Sequence, residues 1–157
     1  MKRLETRIDT DASPKEVWAV LMDFDSYPEW NPMIVSLKGE AKVGAKLRNT
    51  IALKPGRQMS FKPTVVEYDP GRRFGWKGKL GPGGLFDGLH RFEVQPSATG
   101  ATFIHSEEFS GLLPPLLGGV LRATHKAVIA MNEALVAEVE RRRKAASRPA
   151  VTQQPVR

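Results

Sequence analysis

The chain contains no cysteine, which excludes a disulfide framework, a thiolate metal site and a thiol nucleophile. It lacks any run approaching the roughly 20 apolar residues that span a bilayer. The basic residues Lys2 and Arg3 are followed by no apolar stretch of the secretion-signal kind. Neither export nor stable membrane insertion is therefore expected, and the cytoplasm is the expected location. No Gly-x-x-x-x-Gly-Lys-[Ser/Thr] sequence is present to cradle a phosphate. The glycine-rich Gly81-Pro82-Gly83-Gly84 falls between strands, as a candidate mouth loop with no helix N-terminus behind it. Histidine is sparse: His90, His105 and His125 lack the His-Glu-x-x-His spacing of helical zinc sites, so neither a metal nor another cofactor is expected.

Acidic residues are missing from one stretch. Residues 141–157 carry six Lys and Arg and no acid, whereas residues 1–140 carry 18 against 17 Asp and Glu. The net charge of +7 thus belongs to the tail, and a nucleic-acid partner is not expected. Arg141, Arg142, Arg143 and Lys144 close a helix, where cations oppose the negative end of the macrodipole and solvate the last turn. From Ser147 on, too few apolar residues remain to offset ordering entropy. We expect one domain over residues 1–144, a length that suits a single core, and a disordered basic tail over 145–157.

The segments present alternate or recur with clear periods. Leu4, Thr6 and Ile8 share one face of a first strand. Ser13, Pro14 and Glu16 combine an N-cap, a proline at the first helical position and a capping box, which predicts a helix from Pro14 to about Asp23. Residues 24–32 hold Phe24, Tyr27 and Trp30 among two prolines, which fits a short helical turn; its aromatics either cap a cavity entrance or form local core. Short alternating segments follow, at 33–40, 45–54, 58–69, 72–80, 86–95 and 101–110, divided by glycine and proline in the manner of an antiparallel meander. In the second of these, Ala45, Leu47, Asn49, Ile51 and Leu53 form the inner face. Leu112-Leu113-Pro114-Pro115-Leu116-Leu117 reads as an exposed apolar lip or as an ordinary buried entry to the helix behind it. That last helix, from Gly118, carries a stripe of Leu121, His125 or Thr124, Val128, Met131 or Asn132, Leu135 and Val139.

The order predicts an α+β fold in which a curved antiparallel sheet of about seven strands grips the long C-terminal helix. Ser13-Pro14-Lys15-Glu16-Val17-Trp18, Asp23 to Pro32, and Asp69-Pro70-Gly71-Arg72-Arg73-Phe74-Gly75-Trp76 resemble motifs of the START-like, or SRPBCC, superfamily. Gly88-Leu89-His90-Arg91-Phe92-Glu93-Val94 and His105 to Gly111 are similar to its bacterial polyketide cyclase or dehydrase subgroup. The resemblance spans residues 1 to about 143 and implies a helix-grip fold with a cavity for a small hydrophobic ligand such as a lipid, quinone or polyketide. It carries over no catalytic set.

Pairing the last two strands about a turn from Pro96 to Gly100 sets Phe92 opposite Ile104, His90 opposite Ser106 and Gly88 opposite Glu108. With Phe92, Val94 and Ile104 as its apolar members, this face is expected inward. The opposite set, with Leu89, Phe103 and Phe109 beside Arg91, His105 and Glu107, is the alternative, because a slip of one residue exchanges the faces. The candidate ligand-binding residues are Asn49, Trp76, His90, Phe92, Ser106, Glu108, Leu121 and Val128. His90 and Glu108 would form a polar end able to orient an oxygen or move a proton; alternatively, His90 only satisfies a hydrogen bond to Ser106 or a backbone carbonyl. His125 is expected to pack as an ordinary sheet-facing histidine. Three functions follow: a binding module for a hydrophobic molecule, a cyclase or dehydratase using His90 and Glu108 for proton transfer, or a chaperone-activator-like interaction protein.

Overall fold

Alternation of apolar residues gives strands, and unbroken helix formers give one long helix. The computed structural model describes residues 2–80, 86–111 and 118–148. Strand β1 (Lys2–Thr10) is followed by α1 (Pro14–Met22), a 3-10 turn (Phe24–Ser26) and α2 (Tyr27–Trp30). Seven strands come next: β2 (Ile34–Lys38), β3 (Arg48–Lys54), β4 (Arg57–Phe61), β5 (Thr64–Asp69), β6 (Arg73–Leu80), β7 (Phe86–Pro96) and β8 (Ala101–Ser110). The chain then enters α3 (Gly118–Ala146). The Gly81–Gly84 loop, the Leu112–Leu117 lip and tail residues 149–157 lie outside the described residues. No helix among those described is long and apolar enough to cross a membrane.

The strands form two antiparallel groups, β1-β8-β7-β6-β5 and β2-β3-β4. They are joined where Gly44 N donates to Val65 O, Val65 N to Ala45 O and Leu47 N to Pro63 O, each at 2.9 Å. The described residues form eight strands, against the seven or so expected, because the segment 58–69 divides at Pro63, which has no N–H to continue a ladder. The β7–β8 turn is crowded as well: a Cβ on Gly100 would lie 2.4 Å from the carbonyl oxygen of Thr10. Only glycine lets the hairpin tip close on the end of β1.

The capping box forms as the sequence predicts. Glu16 N donates to Ser13 Oγ at 3.3 Å, and Ser13 N donates to Glu16 Oε2 at 2.8 Å. Val17, Val20 and Leu21 are the buried face of α1. The aromatics after it are local core. Tyr27 is buried and donates its hydroxyl to Leu21 O at 2.7 Å, while Phe24 stacks on Phe74.

Helix α3 covers the face formed by β1, β8 and β3, burying Leu121, Thr124, Val128, Met131, Asn132, Leu135 and Val139. His125 is exposed, contrary to the sheet-facing place expected for it, because Thr124 takes the inward position of that turn. The basic cluster does more than solvate the helix end. Arg142 reaches Asp23 at 2.9 Å and Glu138 at 2.7 Å, and Arg143 reaches Asp11 at 2.7 Å. The Asp23 and Asp11 pairs fasten the last turns of α3 to the residues flanking α1, while Glu138 holds Arg142 within the helix.

Candidate functional site

The observed hairpin sets Val94 opposite Phe103, Phe92 opposite His105, His90 opposite Glu107 and Gly88 opposite Phe109. This differs by one residue from the expected pairing. Pro96 remains in the strand opposite Ala101, so the loop holds four residues, with Ser97 N donating to Gly100 O at 3.0 Å. Since side chains alternate with period two, the shift carries Ser106 and Glu108 to the outer face and brings His105 and Glu107 under α3.

On the outer face Glu108 sits 3.6 Å from Arg91 and 4.0 Å from Arg3. Ser106 lines a depression of about 300 Å³ there, together with Arg3, Arg7, Glu67 and Arg91. Its arginines are engaged by carboxylates: Arg91 and Arg73 donate to Glu67 at 2.7 and 2.9 Å. Ser106, itself buried, and half-buried Glu108 therefore lie on the charged outer face, in place of the inward position expected for them.

Three rows cross the inner face. The first runs Trp76, His90, Glu107 and Leu4; the second Phe74, Phe92, His105 and Thr6. The third contains Gly78, Gly88 and Phe109. A Cβ on Gly88 would meet only Phe109, at 3.9 Å, among the described residues. At the other end of the row a Cβ on Gly78 would meet Phe61 at 3.2 Å, so among the described residues of this row only the Gly88 position, one row from His90 and Glu107, is free of close contacts.

The polar groups of the first two rows form a connected network within an aromatic wall. His90 Nδ1 lies 2.8 Å from Glu107 Oε1, and its ring stacks on Trp76 with centroids 4.4 Å apart and planes 7° from parallel. His105 Nδ1 lies 2.9 Å from Asn132 Oδ1, while Asn132 Nδ2 donates to Thr6 Oγ1 at 2.7 Å. Because the Asn132 amide nitrogen is used on Thr6, its oxygen accepts from His105. The network therefore assigns the ring proton of His105 to Nδ1 and a lone pair to Nε2. Asn132 is the point at which α3 is keyed to the sheet.

Burial decides the charges. It pushes both imidazoles far below their ordinary value, each to about 3; for His105 the neighbouring His90 adds to the shift, against Glu107 and Asn132. Burial also pushes the Glu107 carboxyl up to about 7, with His105 opposing. Below that pH a neutral carboxyl faces a neutral imidazole, so Glu107 donates to His90 Nδ1 and the ring proton of His90 sits on Nε2. His90 Nε2 and His105 Nε2 are both buried, without a hydrogen-bond partner among the described residues. The cluster thus offers one donor and one acceptor, a pairing that can hold a carbonyl and a hydroxyl. One nitrogen of each ring and a Glu107 oxygen also lie within 4.8 Å of one another.

Of the other candidate residues, Trp76 and Phe92 stand in this wall, in edge-to-face contact with each other at 5.3 Å. Leu121 and Val128 are buried on α3, and Asn49 is buried on β3 with its Oδ1 unpaired among the described residues. Four residues of the network, Thr6, His105, Glu107 and Asn132, fall outside the expected site. The inward parity of Thr6 and the place of Asn132 on the helical stripe are sequence signals; the inward parity of His105 and Glu107 depends on the hairpin register.

The fold is shared with solved structures of low sequence identity. The Zhui aromatase/cyclase from Streptomyces sp. R1128 superposes with a TM-score of 0.75 at 18% identity, over 93% of this chain and 98% of that one. A START superfamily protein from Mycobacterium smegmatis gives 0.67 at 20%, over 88% and 97%. Ara h 8.0201 gives 0.70 at 13%, over 89% and 98%. No curated protein matches the sequence. Such likenesses establish the helix-grip, START-like fold. Residues 1–143 match the family described as polyketide cyclase / dehydrase and lipid transport, and the chain belongs to that family.

Proposed function

We propose that this protein binds a small, largely apolar molecule between the concave sheet and α3, with the His90–Glu107–His105 cluster holding a carbonyl or hydroxyl of the ligand. The supporting observation is the buried cluster itself: two imidazole nitrogens without partners among the described residues, set among Trp76, Phe92 and Phe103 one row from Gly88. Unpaired buried polar atoms each cost about 1 to 3 kcal/mol, so a ligand that satisfies them gains affinity and orientation together. Membership of a family described by polyketide cyclisation and lipid transport supports the same ligand class.

Titration with an environment-sensitive apolar dye tests this reading. One saturable site is expected, and His90→Phe should alter binding more than Arg91→Ala, whose side chain lies on the outer face in the Glu67 ion pair. Native mass spectrometry of protein from its own host would identify a co-purifying lipid, quinone or polyketide. Absence of any saturable apolar binding would remove the reading and favour an interaction protein.

A second reading, a cyclase or dehydratase, is favoured by one feature. Glu107, with its carboxyl near 7, faces a neutral imidazole at 2.8 Å, and such a pair can give and take a proton. The proton-transfer pair is then His90 with Glu107, and Glu108 has no part in it. Turnover of an aromatic polyketide that is lost in Glu107→Gln and retained in Glu108→Gln would establish it.

A further inference from the structure

The geometry points to a divalent transition-metal site, of the kind zinc occupies, built from His90, His105 and Glu107. The three residues come from two adjacent strands and share one face: His90 and Glu107 are directly opposed, and His105 precedes Glu107 by two positions. One donor atom from each lies within 4.8 Å of the others, and the His90–Glu107 pair is at 2.8 Å. A tetrahedral ion with bonds of about 2.0 to 2.2 Å holds its ligands roughly 3.4 Å apart. The cluster therefore needs only small side-chain adjustments to close on an ion.

Three further features fit metal ligation better than a simple packing role. His105 is oriented through its other nitrogen by Asn132, which is itself held by Thr6, the outer-shell arrangement that fixes a ligating imidazole. His105 Nε2, which carries a lone pair, is buried and without a hydrogen-bond partner among the described residues, and His90 turns its own lone pair at Nδ1 toward Glu107. Trp76 covers the flat face of the His90 ring, leaving its edge, where the Nδ1 lone pair lies, free of that contact. Two imidazoles and one carboxylate suit zinc, iron(II) or copper(II) and disfavour calcium or magnesium. A fourth position would remain for water or a ligand oxygen. On binding, the ion displaces the proton shared by His90 and Glu107 into solvent, and no redox change is involved.

The test uses the full chain, stripped with chelator and titrated with Co²⁺ and Zn²⁺. One equivalent of Co²⁺ with visible absorption typical of nitrogen and oxygen ligands is expected, together with a rise in Tm on adding Zn²⁺. Glu107→Gln and His105→Gln should each weaken affinity at least about tenfold, whereas His125→Gln, at an exposed position, should leave it unchanged. Should either cluster variant fail to fold, imidazole nitrogen resonances of the unaltered chain decide: Zn²⁺ should shift His90 and His105 and spare His125. Absence of saturable binding, undiminished binding in folded Glu107→Gln and His105→Gln, or a shift confined to His125 would overturn the site. Dye binding by the metal-free chain reports separately on the apolar ligand, so either reading can fail alone.

Discussion

His90 and Glu107 face one another across β7 and β8 at 2.8 Å, with the imidazole stacked flat on Trp76. This pair places a proton-sharing contact in the middle of an apolar wall, where water does not screen it. Its consequences are measurable.

Glu107→Gln should change how stability depends on pH. The folded carboxyl titrates near 7, above its ordinary 4.5, so the folded chain keeps a proton that the unfolded chain has lost between those values. The stabilising contribution of that proton is complete below about pH 4.5 and is lost as pH rises through 7. Relative to the unaltered chain, Glu107→Gln should gain stability across that window, by at most about 1.4 kcal/mol per pH unit. Urea unfolding between about pH 5 and 8 measures it; Glu108→Gln, on the outer face, should show no such trend.

The histidines act with the opposite sign. His90 and His105 titrate near 3 when folded and near 6.5 when unfolded, so the unfolded chain takes up protons first as acid is added. Their contribution is complete above about pH 6.5 and is lost as pH falls toward 3. His105→Gln should flatten the acid limb of the unfolding profile. An unchanged limb would mean that His105 is charged in the folded state.

A side chain at Gly88 should block ligand without unfolding the chain. Gly88→Val adds a side chain toward Phe109, its nearest neighbour at 3.9 Å among the described residues. Apolar dye affinity is expected to fall about tenfold or more, while Tm changes little because a β-branched residue suits a strand. Retained affinity would place the ligand elsewhere.

Two substitutions probe the grip of α3. Leu135→Ala, at a fully buried position, should cost about 2 to 5 kcal/mol in urea unfolding. Arg142→Ala should cost about 1 to 2 kcal/mol, chiefly through Glu138, whose side chain is only 7% exposed. The Asp23 partner is more open to solvent and contributes less. Equal stability of Arg142→Ala and the unaltered chain would mean that Arg141 alone satisfies Glu138.

The sequence by itself determined most of the elements, the division of 58–69 at Pro63 excepted, because each depends on neighbours within a few residues. The capping box at Ser13 and Glu16, the stripe on α3 and the period-two recurrence that puts Leu47 and Asn49 on one face are local patterns that tertiary packing only completed. The inward parity of Trp76, His90 and Phe92 was legible for the same reason. The partners of His90 were not: whether Ser106 or Glu107 faces it turns on one residue of loop length at Pro96, and both faces of β8 carry apolar residues. Only packing chose between them, through Gly100 closing on Thr10 and Asn132 bonding His105. Those contacts join residues far apart in the chain. The meaning of Asn132 and Thr6 likewise emerged only when α3 lay across the sheet, since no local period records which polar groups meet in three dimensions.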